Sequence, residues 1–302
     1  MDKGILKKKK IGVLLGGRSS ERNISLKSGD AVLQSLKRSG YRAVAVDASK
    51  NMIDVLRKEK VQVAFITLHG RWGEDGTVQG LLEMMGIPYT GSGVLGSSMA
   101  MDKAVMKLIL KTAGVPTPKY SIVYEGNGSV FPVPYVVKPA NEGSSVGISV
   151  VRIKKDAPAA LKEAFKYNSK VLVEEFIRGQ EITVAVVNGK ALPVIEVRPE
   201  SGFYDFEAKY TKGKTRYIVP AEIGTGVSKK ASDMALKVYK VFDLSGSARV
   251  DMLVKGRTPL VIDINTSPGM TETSLVPKAW VCTGRTFDEL VEEILMEAAL
   301  KV

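Results

Sequence analysis

Cysteine and histidine, the residues that most often build metal and nucleophilic centres, are almost absent from this sequence. The chain contains one of each, Cys282 and His69. A single cysteine excludes an internal disulfide and a cysteine-based zinc site. A single histidine excludes any mechanism that needs two. We therefore expect Cys282 to serve packing only, and His69 to orient a neighbouring group by hydrogen bonding rather than to act as a catalytic base.

Long apolar runs are also missing. No run approaches the ~20 apolar residues that span a bilayer, and the first ten residues, MDKGILKKKK, lack the apolar core of a secretory signal. The 302 residues, 44% hydrophobic and 25% charged, have the balance of a globular chain of two or three domains. We expect a cytoplasmic protein with no membrane partner.

The charge balance is basic, with a formal net charge of +12. Lysine and arginine are spread along the chain, and the one dense run, Lys7–Lys10, precedes the first predicted strand. A solvated terminus explains that run better than a nucleic-acid-binding arm does. We therefore expect no nucleic-acid partner. A basic surface also suits an anionic substrate such as a nucleotide.

The first ninety residues alternate between strand and helix patterns. Strands are predicted at Ile11–Leu15, Arg42–Val46 and Val61–Leu68. The helices between them imply a parallel sheet with right-handed crossovers. Ligands of such sheets bind beyond the carboxyl ends of the strands, where Gly16-Gly17 and His69-Gly70 fall. The glycines do not form GxGxxG, so no dinucleotide-binding fingerprint is predicted.

The pattern changes after a predicted helix from Gly96 to Gly114. Further predicted strands cover Tyr135–Lys138, Gly147–Ile153, Lys170–Glu175, Ile182–Val187 and Ala191–Val197, and further helices cover Ser228–Phe242 and the segment from Thr286. Thr286 and Glu289 have the spacing of a capping box. We therefore predict a fold of the α/β and α+β classes, with an N-terminal Rossmann-like parallel-sheet domain followed by two α+β domains.

A predicted hairpin near the end of the chain carries oxygen ligands for a hard cation. Apolar runs at Ala248–Val254 and Pro259–Ile264 flank a turn. Asp263 and Asn265 are two apart on a strand and share a face. Asp251 lies on the same face if the hairpin loop has three residues, or if the loop has two residues and the strand contains a bulge. Such a trio suits Mg²⁺; alternatively, Asp263 and Asn265 only end the strand.

Two further segments are candidate nucleotide contacts. The loop Asn141–Gly147, which includes Ser144 and Ser145, offers glycines and hydroxyls to a triphosphate. It lacks the Gly-Lys-Ser/Thr of a Walker loop, and an ordinary hairpin loop is the alternative. Lys138 ends a buried strand, so we expect it to have an anionic partner. Glu174-Glu175 beside Phe176-Ile177 can hold a purine ring or can simply be a polar strand end.

Eight motifs in order resemble the D-alanine–D-alanine ligase family of the ATP-grasp superfamily. They are GGRSSERNISLKSG, LHGRWGEDGTVQG, GSSMAMDK, VVKPANEGSSVGISVV, VEEFIRGQEITVAV, FYDFEAKY, ARVDML and IDINTSPGMTETSLVP. The resemblance runs from Ile11 to the last helix. It implies two ATP-grasp α+β domains after the first domain, with bounds of 1–91, 92–173 and 174–302.

The resemblance also implies an activity. ATP phosphorylates a first D-alanine to an acyl phosphate, and the amine of a second D-alanine attacks it. The dipeptide supplies peptidoglycan precursors for the cell wall. Cofactors are ATP and two Mg²⁺, with Mn²⁺ as a substitute, and the family resemblance favours a homodimer. A basic, histidine-poor site fits this chemistry because phosphoryl transfer relies on cations that neutralise charge.

The resemblance assigns site residues by position. It implies that Lys103, Lys138 and Lys209 bind the phosphates of ATP. Glu174, Glu181 and the backbone of Phe176 and Ile177 would bind adenine and ribose. Asp251, Asp263 and Asn265 would bind two Mg²⁺. Glu21 would bind the ammonium of the first D-alanine, and Arg249 with the Gly269 amide would bind the oxyanion. Ser274 and Leu275 would bind the carboxylate of the second D-alanine, and His69 would also contact substrate. Ser144 and Tyr210 would hydrogen-bond with Glu21 and hold the loop Glu200–Lys214 over the site as a lid.

Two positions depart from the family pattern, and two alternative functions stay open. Asp263 stands where the family usually has glutamate, and Arg22 stands where it often has histidine. The shorter Asp263 side chain puts bidentate bridging of two Mg²⁺ in question. The alternatives are a carboxylate–amine ligase with another acceptor and a non-catalytic nucleotide-binding regulator. Tyr210 after Lys209 favours an amine acceptor.

Overall fold

The N-terminal sheet is parallel, as predicted. The computed structural model describes residues 1–49, 51–125, 131–143, 146–200, 211 and 213–302. Strand β1 (Lys10–Leu15) lies between β2 (Arg42–Asp47) and β3 (Val63–Ile66), and both neighbours pair with it in parallel. The helices of this region are α1 (Lys3–Lys8), α2 (Arg22–Arg38), α3 (Met52–Lys58) and α4 (Thr77–Met84). Strand β3 is shorter than the predicted Val61–Leu68.

The predicted single helix from Gly96 to Gly114 is wrong, because Asp102 divides it. Helix α5 covers Val94–Met101 and α6 covers Lys103–Thr112. Asp102 has an extended backbone, and its carboxylate accepts from the amides of Ala104 and Val105 at 3.0 and 3.2 Å. Aspartate at this position satisfies amides that a helix start leaves without partners. The break makes Lys103 the first residue of α6.

A four-stranded antiparallel sheet follows. Its order is β4 (Tyr120–Tyr124), β7 (Lys170–Glu175), β5 (Tyr135–Pro139) and β6 (Ser149–Val151). A short 3₁₀ turn at Lys154–Asp156 leads into α7 (Ala157–Phe165), which contacts β5, β6 and β7. The alternating inward residues of β5 and β7, among them Val137, Val171 and Val173, are buried against α7.

The second antiparallel sheet carries the predicted hairpin. Its strands are β8 (Gln180–Val187), β9 (Lys190–Ala191), β10 (Ile195–Pro199), β11 (Thr215–Ile218), β12 (Ser247–Lys255) and β13 (Thr258–Asn265). The order is β11-β10-β8-β12-β13, with β9 paired to β8 beyond that path. Helix α8 (Thr225–Val241) contacts β8, β12 and β13 and buries Ala231, Ala235 and Val238 against them.

The last helices return to the N-terminal sheet. Helix α10 (Phe287–Met296), which follows α9 (Leu275–Val281), begins with the predicted capping box of Thr286 and Glu289. One hydrophobic core joins Val13 and Phe65 of the first sheet to Leu290 and Ile294 of α10.

Two features of the surface bear on the sequence predictions. Cys282 is exposed, so its predicted packing role is wrong. It follows α9 at the start of a turn, where its side chain is not enclosed. Within the described ranges, no helix has the length and apolar character needed to cross a membrane.

Candidate active site

The hairpin of β12 and β13 brings Asp251 opposite Asp263. Lys255 pairs with Thr258, so the loop has two residues, and the register shifts between Asp251 and Met252. The shift leaves Ile262 as the extra residue of a bulge. A two-residue loop alone would point Asp251 to the other face, and the bulge reverses that. The sequence left both arrangements open, and the structure has the one with a bulge.

One cavity of about 330 Å³ brings together residues from distant parts of the chain. Those among its lining residues that the sequence predicted are Glu21, His69, Lys103, Arg249, Asp263, Asn265, Gly269, Ser274 and Leu275. They come from the first loop, the end of β3, the start of α6, the hairpin and the start of α9. The cavity therefore lies where the N-terminal sheet, α6 and the second antiparallel sheet meet.

Glu21 is closely surrounded by two glycine-containing loops. A Cβ at Gly143 would lie 2.8 Å from Oε2 of Glu21, and one at Gly70 would lie 2.9 Å from the same atom. Gly70 also has a φ of +66°, which favours glycine. Both loops can therefore approach the carboxylate only because they carry no side chain there. Glu21 itself is 9% exposed, so its charge lies in a largely dehydrated setting.

His69 is held in one orientation from both ring nitrogens. Its Nδ1 lies 2.8 Å from the carbonyl oxygen of Ser267, and its Nε2 lies 3.4 Å from Oγ of Ser28. A carbonyl only accepts, so Nδ1 carries the proton and Nε2 is the acceptor. Burial lowers the pKa of His69, against the opposing charge of Glu21, which favours this neutral form. The Ser28 hydroxyl also accepts from the Met270 amide at 3.1 Å, which ties His69 to the segment after β13.

Arg249 and Asp251 form a bidentate ion pair on β12. Nε and Nη2 of Arg249 each lie 2.8 Å from one carboxylate oxygen of Asp251. Thr183 on β8 also donates to Asp251 at 2.6 Å. Asp251 is therefore directed by its own strand and by the neighbouring strand. The guanidinium lines the cavity, while Asp251 lies behind it.

Glu74 is a cavity residue that the sequence analysis did not single out. Its side chain is buried on the cavity wall, and Oε1 accepts from the Gly70 amide at 2.8 Å. Burial, together with the negative charge of Glu21, raises the pKa of Glu74 to about 8. The available clue was the position of Glu74 only five residues after His69, at the same end of the sheet.

The segment from Gly269 to Leu275 closes one side of the cavity. A Cβ at Gly269 would lie 2.8 Å from Oγ of Ser274, so only glycine lets these two residues come this close. Ser274 precedes α9, and its Oγ accepts from the Thr271 amide at 3.1 Å. Leu275 is the first residue of α9. The hydroxyl and the first helix amide thus lie beside one another at the cavity edge.

The predicted nucleotide residues form a second group beside the cavity. Lys103 Nζ donates to the carbonyl of Glu142 at 2.8 Å and lies 3.4 Å from Oδ1 of Asp263. Lys138 pairs with Glu174, which confirms the expected anionic partner. Glu174 is 3% exposed and pairs also with Lys107, a lysine that the sequence interpretation missed.

Only some of the remaining candidate nucleotide-binding residues lie within the part of the chain that the structure describes. The Phe176 amide donates to Pro134 at 3.4 Å, Ile177 is buried, and Glu181 lies on β8 opposite Leu253 of β12. Ser144, Ser145, Lys209 and Tyr210 lie outside the described residues, as does most of the predicted lid, so their roles stay predictions.

The donor set of the hairpin fits a hard cation. Asp263 and Asn265 offer carboxylate and amide oxygens to the cavity, and the register aligns Asp263 with Asp251, whose carboxylate is paired with Arg249. Asp263 is partly exposed, as a ligand with access to the cavity must be. Asn265 Oδ1 accepts from the Ser267 amide at 3.0 Å, which fixes the orientation of its side chain. Among the described residues no group of three or more histidine, cysteine or acidic side chains could hold a metal ion, and the hairpin set combines two carboxylates with the amide of Asn265.

Arg22, which departs from the family pattern next to Glu21, forms an ion pair with Asp47. Nη1 and Nη2 of Arg22 donate to the Asp47 carboxylate at 2.8 and 2.7 Å, and Nη1 also donates to the Gly17 carbonyl at 2.9 Å. Asp47 ends β2, so Arg22 joins the first loop to the sheet rather than facing Glu21.

Comparisons with known proteins agree with this arrangement. Family models described as D-ala D-ala ligase C-terminus and D-ala D-ala ligase N-terminus match residues 109–296 and 52–92. The D-alanine–D-alanine ligase of Syntrophotalea carbinolica is 48% identical over all of both chains. That of Geobacter sulfurreducens is 47% identical over 100% of this chain and 98% of its own.

Solved structures give the same result. The crystal structure of D-alanine–D-alanine ligase from Bacillus anthracis has a TM-score of 0.85 at 36% identity, covering 96% of this chain and 97% of its own. The structure of that ligase complexed with ATP has a TM-score of 0.84 at 34% identity, with the same coverage. The predicted architecture of a Rossmann-like domain followed by ATP-grasp domains is therefore confirmed.

Proposed function

The chain belongs to the D-alanine–D-alanine ligase family, and we propose that the cavity between its sheets binds two D-alanines beside the terminal phosphate of ATP. The enzyme joins two D-alanines in an ATP-dependent ligation that supplies peptidoglycan. One observation carries the assignment of the cavity. Nine residues matched to the family motifs, which are scattered from Glu21 to Leu275, line this single cavity of about 330 Å³.

The proposed ligation proceeds in two steps. A carboxylate oxygen of the first D-alanine attacks the γ-phosphorus of ATP, and ADP leaves with its bonding pair. The amine of the second D-alanine then attacks the acyl carbon, and the tetrahedral adduct expels phosphate, which takes up the proton that the amine loses. Each step develops negative charge on oxygen, so preorganised cations and amide donors lower its barrier.

Charge complementarity supports the roles of the substrate residues. Glu21 offers a buried carboxylate to the ammonium of the first D-alanine, a charge-assisted pair that burial strengthens. Arg249 and Gly269 line the same cavity, and the guanidinium and the Gly269 amide are the donors proposed for the developing oxyanion. Oxyanion donors of this kind contribute roughly 2.7–4 kcal/mol in other enzymes. Ser274 and Leu275 would receive the second carboxylate.

His69 acts by orientation in this proposal. Its neutral ring is held by Ser267 and Ser28, so it presents a fixed, uncharged wall beside Glu21. A charged imidazolium there would compete with the substrate ammonium for Glu21. The depressed pKa of His69, which burial causes, favours the uncharged state.

The nucleotide and metal assignments follow from the neighbouring groups. Phosphates would meet Lys103, Lys138 and Lys209 with the loop at Ser144 and Ser145, the base and ribose would meet Glu174, Phe176, Ile177 and Glu181, and two Mg²⁺ would be held by Asp251, Asp263 and Asn265. Bound Mg²⁺, or Mn²⁺ in its place, would supply charge neutralisation at the transferred phosphate. Tyr210 and Ser144 would complete the contacts of Glu21 when the lid covers the site.

The larger-scale features of the enzyme are part of the same proposal. We expect domains at 1–91, 92–173 and 174–302, a homodimer, and a location in the cytoplasm, where D-alanine and ATP are available together. Gel filtration with light scattering tests the dimer. A monomer at micromolar concentration would exclude it.

Product analysis tests the reaction. With ATP and D-alanine we expect ADP, phosphate and D-alanyl-D-alanine in equal amounts. AMP and pyrophosphate would exclude an acyl phosphate. Acceptor tests with L-alanine and D-lactate separate this enzyme from a ligase with another acceptor. A purely regulatory nucleotide-binding protein catalyses no ligation, so it would form no dipeptide under any of these conditions.

A further inference from the structure

A second buried lysine lies behind the nucleotide residues. Lys107 is one turn after Lys103 on α6, and its side chain is fully buried. Its Nζ pairs with Glu174 of β7, donates to the Thr117 hydroxyl, and lies 3.2 Å from the carbonyl oxygen of Val261 on β13. The ammonium therefore joins α6 to both antiparallel sheets.

Glu174 lies between two lysines. One carboxylate oxygen pairs with Lys107 and the other with Lys138. Burial on its own would raise the pKa of Glu174, and the charges of the two lysines outweigh burial and hold the pKa below its usual range. The carboxylate is therefore charged and needs a cationic partner at all times, because an unpaired buried charge is strongly unfavourable.

The two lysines differ in how firmly the protein holds their ammonium groups. Lys107 has three protein acceptors, on β7, in the segment after α6 and on β13, so it is a fixed partner, whereas the protein acceptor of Lys138 is Glu174. Lys138 lies at the end of β5, next to the loop that begins at Asn141. Burial lowers the pKa of Lys107 to about 8, with Glu174 acting against this effect, so Lys107 depends on Glu174 for its own charge.

We propose that Lys107 is a positioning residue for ATP binding, the permanent counter-ion of Glu174 that lets Lys138 leave this carboxylate for a phosphate of the nucleotide. This inference depends on the proposed phosphate role of Lys138. Without Lys107, Lys138 would be the sole partner of a buried carboxylate. Its transfer to ATP would then leave Glu174 unpaired, and ATP would bind more weakly.

A double-mutant cycle tests the proposal. Lys107→Met keeps most of the side-chain volume and removes the charge, and Lys111→Met, an exposed lysine on the same helix, is the matched control. We expect Lys107→Met to raise the KM for ATP at least about tenfold and to change the KM for D-alanine by less than about twofold. In a Glu174→Gln background, which has no carboxylate to neutralise, Lys107→Met should leave the KM for ATP unchanged.

The outcomes separate positioning from plain stability. Lys107→Met will lower the thermal midpoint in either case, because it leaves a buried charge with one partner fewer. A lower midpoint with an unchanged KM for ATP would overturn the proposal, as would an equal rise of that KM in both backgrounds. If Lys107→Met alone does not fold, a higher KM for ATP in the double variant than in Glu174→Gln would still overturn the proposal. Absence of ADP formation by the wild type with D-alanine would instead refute the proposed function.

Discussion

The raised pKa of Glu74 predicts that the free energy of unfolding depends on pH in the direction opposite to that of most carboxyl groups. Most acidic residues in folded proteins have lowered pKa values, whereas burial and Glu21 raise that of Glu74 from 4.5 to about 8. Between these pH values the folded state holds a proton that the unfolded state has lost. The free energy of unfolding therefore falls as pH rises through this window.

The magnitude follows from the width of the window. One proton held only in the folded state changes the free energy of unfolding by about 1.4 kcal/mol per pH unit. Over the window the total is on the order of a few kcal/mol. Glu74→Gln resembles the protonated acid, because its carbonyl oxygen can still accept from the Gly70 amide, and it cannot ionise. The variant should therefore match the wild type near pH 5 and be more stable than the wild type near pH 8.

Urea unfolding at several pH values between 5 and 8.5 measures this difference. The control is Glu272→Gln, which removes an exposed glutamate and should give a curve parallel to that of the wild type. If the curves of wild type and Glu74→Gln also run parallel, Glu74 ionises normally. The inference that burial and Glu21 keep it protonated at neutral pH would then be refuted.

Two further predictions concern the substrate and the metal. Glu21→Gln should raise the KM for D-alanine and leave the KM for ATP unchanged, because a charge-assisted hydrogen bond to the ammonium becomes a neutral one of about half the strength; a higher KM for ATP alone would contradict this assignment. Asp263→Asn should raise the Mg²⁺ concentration for half-maximal rate, because it removes a charge from the hairpin site. Asp263→Glu should instead lower that concentration, if the longer side chain reaches the cation at the normal ~2.0–2.1 Å. Equal Mg²⁺ dependence and rate in the wild type and Asp263→Asn would limit Asp263 to ending the strand.

Local patterns predicted the elements whose physical causes are local. The capping box of Thr286 and Glu289 needs only a hydroxyl and a carboxylate three residues apart. The parallel order of the first strands follows from their alternation with helices. The break at Asp102 was also visible in principle, since aspartate is a frequent first capping residue, but the apolar periodicity on both sides concealed it.

Features that depend on tertiary packing could not be predicted in the same way. The bulge at Ile262 shifts the pairing of β13 with β12, a strand that also pairs with β8, and no pattern within β13 specifies it. Two of the groups around Lys107, Glu174 of β7 and the Val261 carbonyl of β13, are distant in sequence from α6. A weak indication was available, because Lys103, Lys107 and Leu110 have the i, i+4, i+7 spacing of one helix face. A lysine in the middle of a buried face needs an anionic partner.

The last helix has a consequence for the order in which this protein folds during synthesis. Domains commonly fold as units as they leave the ribosome, the N-terminal one first, at about 5–20 residues per second. Here the core of the first sheet includes Leu290 and Ile294, which are made more than two hundred residues after Phe65. We therefore expect the nascent first domain to remain incompletely packed until translation is almost finished, with part of its apolar surface exposed in the interval.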